Sequence, residues 1–589
     1  MTFLQLLIHR ERVGTSRKGR FVCVALAALC VPAAPSESRA APKAAAVSTF
    51  LHPSQAAVAS DSEAASRAGV ELLKAGGNAV DAACATTLAL GVVHPFASGL
   101  GGGGFALVYL ADSGKAMALD FREAAPRGLR VLPAGEAALA AQTGLSIGVP
   151  GEPAGLADLV RRFGALPFSR CVEPALRLAN GFSASPWLVQ HIKDELARHP
   201  DSAPGLLAKV FDLRGRSAGG IRAGDRLSRH RLAKTLEKLR AGGTAVFYRG
   251  ELARAIASAA AAAGSALSVE DLASYRPVER APLETKFHDH RILLAPPPSA
   301  GGVIIAEVLG ILTRLLGNAP RPVDPLSPSY LHLLAEASKH GFADRARYLG
   351  DPAFTKLPLD HLLDPAYHRE LAARFLPEKV LPHASYGTPT SRPAPPARDA
   401  GTAHVSVIDR AGNAVALSTT INLEFGAGIV AGETGILLND ELDDFTITPG
   451  RPDVFSLTGS EANQPAPGKR PVSSMSPTIV LGEHGVELVA GAAGGPRIVS
   501  ATLQILLDVL LFGRNAQQAV AAPRIHHQWE PDVLYHEPGL PPDVVRALEA
   551  KGHRPESRAD IGKANAIVRT RAGLEAAADP RSGGAPAGY

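Results

Sequence analysis

Apolar residues recur at helical spacing across 64–92, where Ala65, Val70, Leu72 and Leu73 fall on one stripe. Gly76-Gly77 interrupts that stripe, so the pattern predicts two helices with a break between them. A glycine-dense stretch, SGLGGGG, fills 98–104, and the apolar run FALVYLA after it reads as a strand. From 150 to 345 the spacing is mostly helical, as in EPALRLANGF, LAKTLEKLRAGG, GELARAIASAAAAAG and YLHLLAEASKHGFADRARYLG. Within that part HRILLAPPPSAGGVIIAEVLGIL predicts a strand, a turn and a buried helix. Periodicity vanishes over 379–401, a proline-rich tract that reads as a linker. Beyond it the period switches to two. AHVSVID alternates, Gly412-Asn413 signals a hairpin, and AVALSTTI alternates again. MSPTIVL and VELVAGAAGG continue the strands, and SATLQILLDVLLF is a helix with a long apolar face. The chain therefore divides into a helix-rich first part and a strand-rich second part.

Composition narrows the class. At 589 residues and 46% hydrophobic content the chain is globular, and length alone allows roughly three to four domains. The net charge is +5 with Lys and Arg scattered, so no basic stripe tracks a nucleic acid. Arg17, Lys18 and Arg20 precede the apolar run FVCVALAALCVPAA, and small residues follow to about Ala40. That layout predicts a secretory signal over 1–40 and an exported protein without a stable membrane anchor. Cys84 and Cys171 remain after it, enough for one disulfide and spaced unlike any zinc motif. Gly99, Gly101 and Gly104 spell GxGxxG, but a strand follows instead of a helix, so they read as a tight backbone approach.

The junction at Gly401-Thr402 carries candidate chemistry. A threonine hydroxyl is a poor nucleophile unless a base sits beside it. A threonine at a chain's first position has one in its own α-amine, whose pKa of about 7.7–8 suits proton transfer. Thr402 would gain that amine only if the bond from Gly401 were cut. Pattern alone leaves two readings, this one and an ordinary strand threonine after a surface loop.

The sequence resembles the γ-glutamyltranspeptidase (glutathione hydrolase) family of N-terminal-nucleophile hydrolases. The resemblance runs from about His52 to Tyr589 and rests on ordered motifs: LLKAGGNAVDAA, GLGGGGF, DFREAAP, GVPGEPAG, EDLASYRPVER, PPPSAGG, FADRARYLGDP, GTAHVSVID, GETGILLNDELDDF, KRPVSSMSPTIV and GAAGGPRI. It implies an αββα sandwich and a precursor that cleaves itself before Thr402. The products would be a large subunit, 41–401, and a small catalytic subunit, 402–589, held together as a heterodimer. Thr402 would carry the γ-glutamyl group of glutathione or a related amide as an ester. Water, an amino acid or a dipeptide would then accept it. No cofactor or metal is implied.

The resemblance also assigns roles. Arg122 would bind the substrate α-carboxylate, a pairing that suits a guanidinium fork, with Ser473 and Ser474 helping. Glu441 and Asp444 would receive the α-ammonium, and Asn422 would be a further polar substrate contact. Thr420 would hydrogen-bond the nucleophile and assist maturation. Gly494 and Gly495 would offer backbone N–H groups to the oxyanion, each typically worth about 3–4 kcal/mol. Asp440 and Asp443 read as surface acids, and HHQW with His536 as packing. Three positions depart from the family's pattern. Ala403 stands where Thr or Ser is usual, Phe455 where some bacterial members carry a lid tyrosine, and Glu441 where some members carry Gln. A related acylase or poly-γ-glutamate depolymerase on the same scaffold is the alternative activity. An unprocessed binding protein is the non-enzymatic one.

Overall fold

Asn78 starts the second of the two predicted helices. Its side chain accepts from the N–H groups of Val80 and Asp81, and Asp81 returns the bond to the Asn78 backbone. This reciprocal cap sets the helix Ala79–Val93 apart from Glu63–Lys74, as the glycine break predicts. The computed structural model describes residues 49–129, 142–213, 215–317, 324–389 and 400–589. The expected signal and residues 390–399 of the proline-rich tract lie outside the described residues.

Two seven-stranded sheets form the centre. One runs in the order Ala585–Gly588, Ala57–Ser60, Ala400–Ile408, Ala414–Leu423, Gly103–Leu110, Lys115–Asp120 and Val278–Arg280. The other runs Phe50–Leu51, Gly573–Ala578, Lys563–Thr570, Gly485–Ala493, Thr478–Gly482, His290–Leu294 and Leu283–Phe287. All neighbours in both are antiparallel.

Alternation along the strands sorts their side chains into layers. Ile408, Ala414, Ala416 and Leu107 meet Ile479, Val489 and Ile567 between the sheets. Ala403, Val405, Val407, Val415 and Leu417 point the other way, into a core shared with Ala79–Val93 and its neighbouring helices. On the far sheet Val480, Leu488 and Ala490 pack against Gly301–Leu316, Pro328–Tyr348 and Arg497–Leu510. The result is helix, sheet, sheet, helix, the expected αββα sandwich. Each fully buried Val or Leu in these layers contributes about 1.5–3 kcal/mol.

The helix-rich and strand-rich parts of the sequence are not separate bodies. Segments from both sides of Thr402 supply strands to each sheet, and residues 47–589 form one compact unit, not the three or four that length allows. Cys84 and Cys171 are buried free thiols in contact within the helical layer; burial and that contact push the Cys84 thiol up. Among the described residues no helix is long and apolar enough to cross a membrane.

Candidate active site

The strand that carries Thr402 is paired centrally, and its register breaks at one bond. Gly401 lies opposite Asn422, whereas Thr402 lies opposite Thr420, so Ile421 is the extra residue of a β-bulge. Thr402, like Ile408 on the same strand, faces the space between the sheets, and Thr420 joins it from the neighbouring strand. Ala403 points oppositely, into the helical layer. Its side chain is therefore on the wrong face to touch the Thr402 hydroxyl.

Thr420 Oγ1 is the hub of this corner. It lies 3.0 Å from Thr402 Oγ1, donates to the Gly401 carbonyl oxygen at 2.8 Å, and accepts from the Asn422 N–H at 2.9 Å. A hydroxyl has one proton and two lone pairs. Its proton goes to Gly401, so the remaining lone pair receives the Thr402 O–H. The corner opens into a small, narrow cavity lined by Arg122, Arg345, Thr402, Thr420, Asn422, Glu441, Asp444, Phe455, Ser473, Ser474 and Gly495 among others. The predicted residues thus converge, and Gly494 adjoins the lining through Gly495.

Arg122 sits at the end of the Lys115–Asp120 strand and is 1% exposed. Its Nε donates to the Pro471 carbonyl at 3.3 Å and its Nη2 to the Val472 carbonyl at 3.1 Å, so the KRPVSS segment cradles the DFREAAP segment. The guanidinium also pairs with both Glu441 and Asp444. Burial opposes the Arg122 charge, but these two carboxylates overcome it and hold the proton more firmly than usual. Burial likewise pushes the Glu441 and Asp444 carboxyls up, against the pull of Arg122.

Sequence reasoning missed two charged groups at the site. Glu123 is buried beside Glu441, and burial lifts its carboxyl to about 8 despite Arg122. Arg345, inside the FADRARYLGDP motif, also lines the cavity and donates to the Thr458 carbonyl at 3.0 Å. Arg122 and Arg345 thus line the same cavity as Glu441 and Asp444, so side chains of both charge types meet there. The adjacency of Glu123 to Arg122 in DFREAAP was the available signal.

Ser473 Oγ accepts from the Met475 N–H at 3.1 Å, fixing the turn that presents Ser473 and Ser474 to the cavity. Gly494 and Gly495 form the turn between the Gly485–Ala493 strand and the Arg497–Leu510 helix, with φ of 129° and 60°. Those angles favour glycine. The turn sits at the positive end of the helix dipole, favourable for an oxyanion.

Asp440 corrects an expectation. It is fully buried, not a surface acid, and its carboxylate accepts from the Leu423 N–H at 3.0 Å and the Gln142 N–H at 3.1 Å. An acidic run normally faces solvent, but here the amides of Leu423 at a strand end and Gln142 in a turn need an acceptor. Asp443 is half-buried. His526, His527 and His536 are buried, and burial lowers the first two rings to about 3 and about 4. His332, Glu336 and His553 cluster with metal-ligand atoms. Lys339 Nζ, 3.0 Å from Glu336 Oε1, already supplies a cation there, and the two imidazoles bond each other at 2.7 Å.

The γ-glutamyltranspeptidase family model matches residues 65–589. The glutathione hydrolase proenzyme of Escherichia coli K12 is 39% identical over 544 residues, covering 90% of each chain. That of Pseudomonas aeruginosa is 37% identical over 542 residues, covering 90% of this chain and 93% of the relative. Among solved structures, cephalosporin acylase from Bacillus halodurans superposes with a TM-score of 0.80 at 26% identity, covering 94% of this chain and 99% of that one. The Helicobacter pylori γ-glutamyltranspeptidase gives 0.50 at 32% identity, covering 56% and 93%.

Proposed function

The chain belongs to the γ-glutamyltranspeptidase family, and from that premise we propose that it is an exported, self-processing enzyme acting on glutathione and related γ-glutamyl amides. The observation that carries this reading is the Thr420 bridge between the Thr402 hydroxyl and the Gly401 carbonyl. In the intact chain Thr402 Oγ attacks the Gly401 carbonyl carbon, while the Thr420 hydroxyl stabilises the developing oxyanion. The hydroxyl proton passes to the leaving nitrogen as the C–N bond breaks, an ester forms on Thr402, and water cleaves that ester. The products are a Gly401 carboxylate and a free Thr402 α-amine.

That amine then serves as the base for the next attack, on the γ-carbonyl of the donor. The donor's α-carboxylate is held by Arg122 with Ser473 and Ser474, and its α-ammonium by Glu441, Asp444 and Asn422. The Gly494 and Gly495 N–H groups receive the tetrahedral oxyanion. The amine of the leaving group takes a proton, and water or an amino acid or dipeptide releases the γ-glutamyl group. The basic, apolar and small-residue layout of residues 1–40 supports export.

A second reading, an acylase for donors without the α-ammonium, has the cephalosporin acylase likeness in its favour. The pairing of Arg122 with two carboxylates argues against it. A zwitterionic head group brings both a carboxylate for the guanidinium and an ammonium for the acids. A glutaryl group would only compete for Arg122 and leave buried acids unpaired. N-terminal sequencing and parallel kinetics on γ-glutamyl-anilide and glutaryl-anilide test the proposal. We expect a fragment beginning at Thr402 and a strong preference for the γ-glutamyl compound. An uncut chain, or preference for glutaryl, would overturn it.

A further inference from the structure

The HHQW motif plays no part in the chemistry above, yet its glutamine reaches the wall of the reaction cavity from behind. We propose that Gln528 is a positioning residue that latches the segment 446–460 over the acyl-enzyme, a role that rests on the enzyme reading above. Phe455 and Leu457 of that segment line the cavity together with Thr402. A phenylalanine has no hydroxyl with which to tie the segment down, so its backbone carbonyls must be held instead.

Gln528 Nε2 lies 3.1 Å from the Phe455 carbonyl oxygen, 3.1 Å from that of Ser456 and 3.0 Å from that of Glu530. Three acceptors around one atom require the amide nitrogen there, which fixes the side chain's orientation. The other end, Oε1, then accepts from His526 Nε2 at 2.9 Å. His526 is buried and neutral, so it has a single ring proton, and that bond places it on Nε2. Nδ1 is left to accept the Ser500 hydroxyl at 2.7 Å.

Ser500 belongs to the Arg497–Leu510 helix, which starts directly after Gly494-Gly495-Pro496. One rigid helix therefore carries the oxyanion turn at its start. Through Ser500, His526 and Gln528 it also holds the Phe455 wall. The wall is under local tension, because Ser456 has φ of 62°, a left-handed conformation unfavourable for a non-glycine residue. The Asp453 carboxylate accepts from the Phe455 and Leu457 N–H groups at 2.8 and 2.9 Å, and Arg345 holds the Thr458 carbonyl. The Asp453 bonds lie within the turn and keep its shape, so loss of the glutamine amide detaches the Phe455 and Ser456 carbonyls from Gln528 and lets the turn shift as a unit. An open wall admits water to the ester and loosens the fit of the donor.

The test uses the full chain, wild type beside Gln528→Glu and Gln528→Met, which keep the length and remove the donors. Donor KM and the ratio of transfer to hydrolysis are read with γ-glutamyl-p-nitroanilide, with and without glycylglycine. Limited proteolysis reads cutting within 446–460. Expected are a KM raised roughly fivefold to tenfold, as the loss of one or two hydrogen bonds implies. The KM change should exceed that in kcat, the transfer ratio should fall, and cleavage within 446–460 should be faster. Variants with wild-type KM, transfer ratio and protease resistance overturn the latch. A variant that stays uncut at Gly401 is judged by proteolysis alone, where equal resistance overturns the latch and faster cleavage supports it. A wild-type chain that neither self-cleaves nor releases nitroaniline defeats the enzyme reading instead, and proteolysis still decides on the latch.

Discussion

Replacing Thr420 with valine keeps the side-chain shape and deletes one hydroxyl. The structure sets what is lost. The Gly401 carbonyl oxygen loses a donor at 2.8 Å, the Asn422 N–H loses an acceptor at 2.9 Å, and Thr402 loses its 3.0 Å partner. All three residues are buried. Stranding a buried polar group costs about 1–3 kcal/mol. The Gly401 and Asn422 groups together therefore lower stability by about 2–6 kcal/mol. The kinetic loss is distinct. Removing one preorganised oxyanion donor slows acyl transfer by about 10²–10³-fold, so self-cleavage should slow by that factor. The assay follows the full-length band on denaturing gels over time, with guanidinium unfolding in parallel. Thr420→Ser, which keeps the hydroxyl, should restore most of the rate. If the valine protein converts to two fragments at the wild-type rate, the bridge is not part of maturation and the reasoning fails.

Other predictions follow from the same geometry. Arg122→Lys retains a charge but not the fork that reaches Pro471, Val472, Glu441 and Asp444 together. Donor KM should rise about tenfold to a hundredfold, as the loss of a charge-assisted bond or two implies, and unchanged KM would remove Arg122 from the head-group site. Arg122→Met leaves two buried acids without their cation and should destabilise by about 3–5 kcal/mol, measured by denaturant unfolding. Asp440 has a second signature. Burial raises its carboxyl from 3.8 to about 7, so the folded chain holds a proton that the unfolded chain releases. Its contribution to stability is full below pH 3.8 and is lost as pH rises through about 7. Asp440→Asn should flatten that part of the stability-pH curve, and an unchanged slope would show the acid ionised in the folded state.

The layers of the fold were legible because local spacing encodes them. The Gly76-Gly77 break, the helix after PPPSAGG and the alternation on both sides of Gly412-Asn413 each depend only on neighbours in sequence. The roles of Arg122, Glu441, Asp444, Ser473 and Ser474 came from ordered motifs, and the chain brings these residues to one cavity. Asp440 was misread because burial is a property of the packed chain, and the backbone amides that it serves lie elsewhere in sequence. Glu123 and Arg345 were missed for the same reason.

The sequence by itself determined the elements, their layer-facing sides and the identity of the nucleophile candidate. Only the tertiary structure decided that the two compositional halves interleave in both sheets and that the bulge falls at Gly401-Thr402. It also set Thr420 as the link between hydroxyl and carbonyl, and gave the HHQW glutamine a wall to hold. The physical reason is range. Periodicity and caps act over a few residues, whereas register and burial are fixed by partners farther off, from 18 residues for Thr402 and Thr420 to 319 for Arg122 and Glu441.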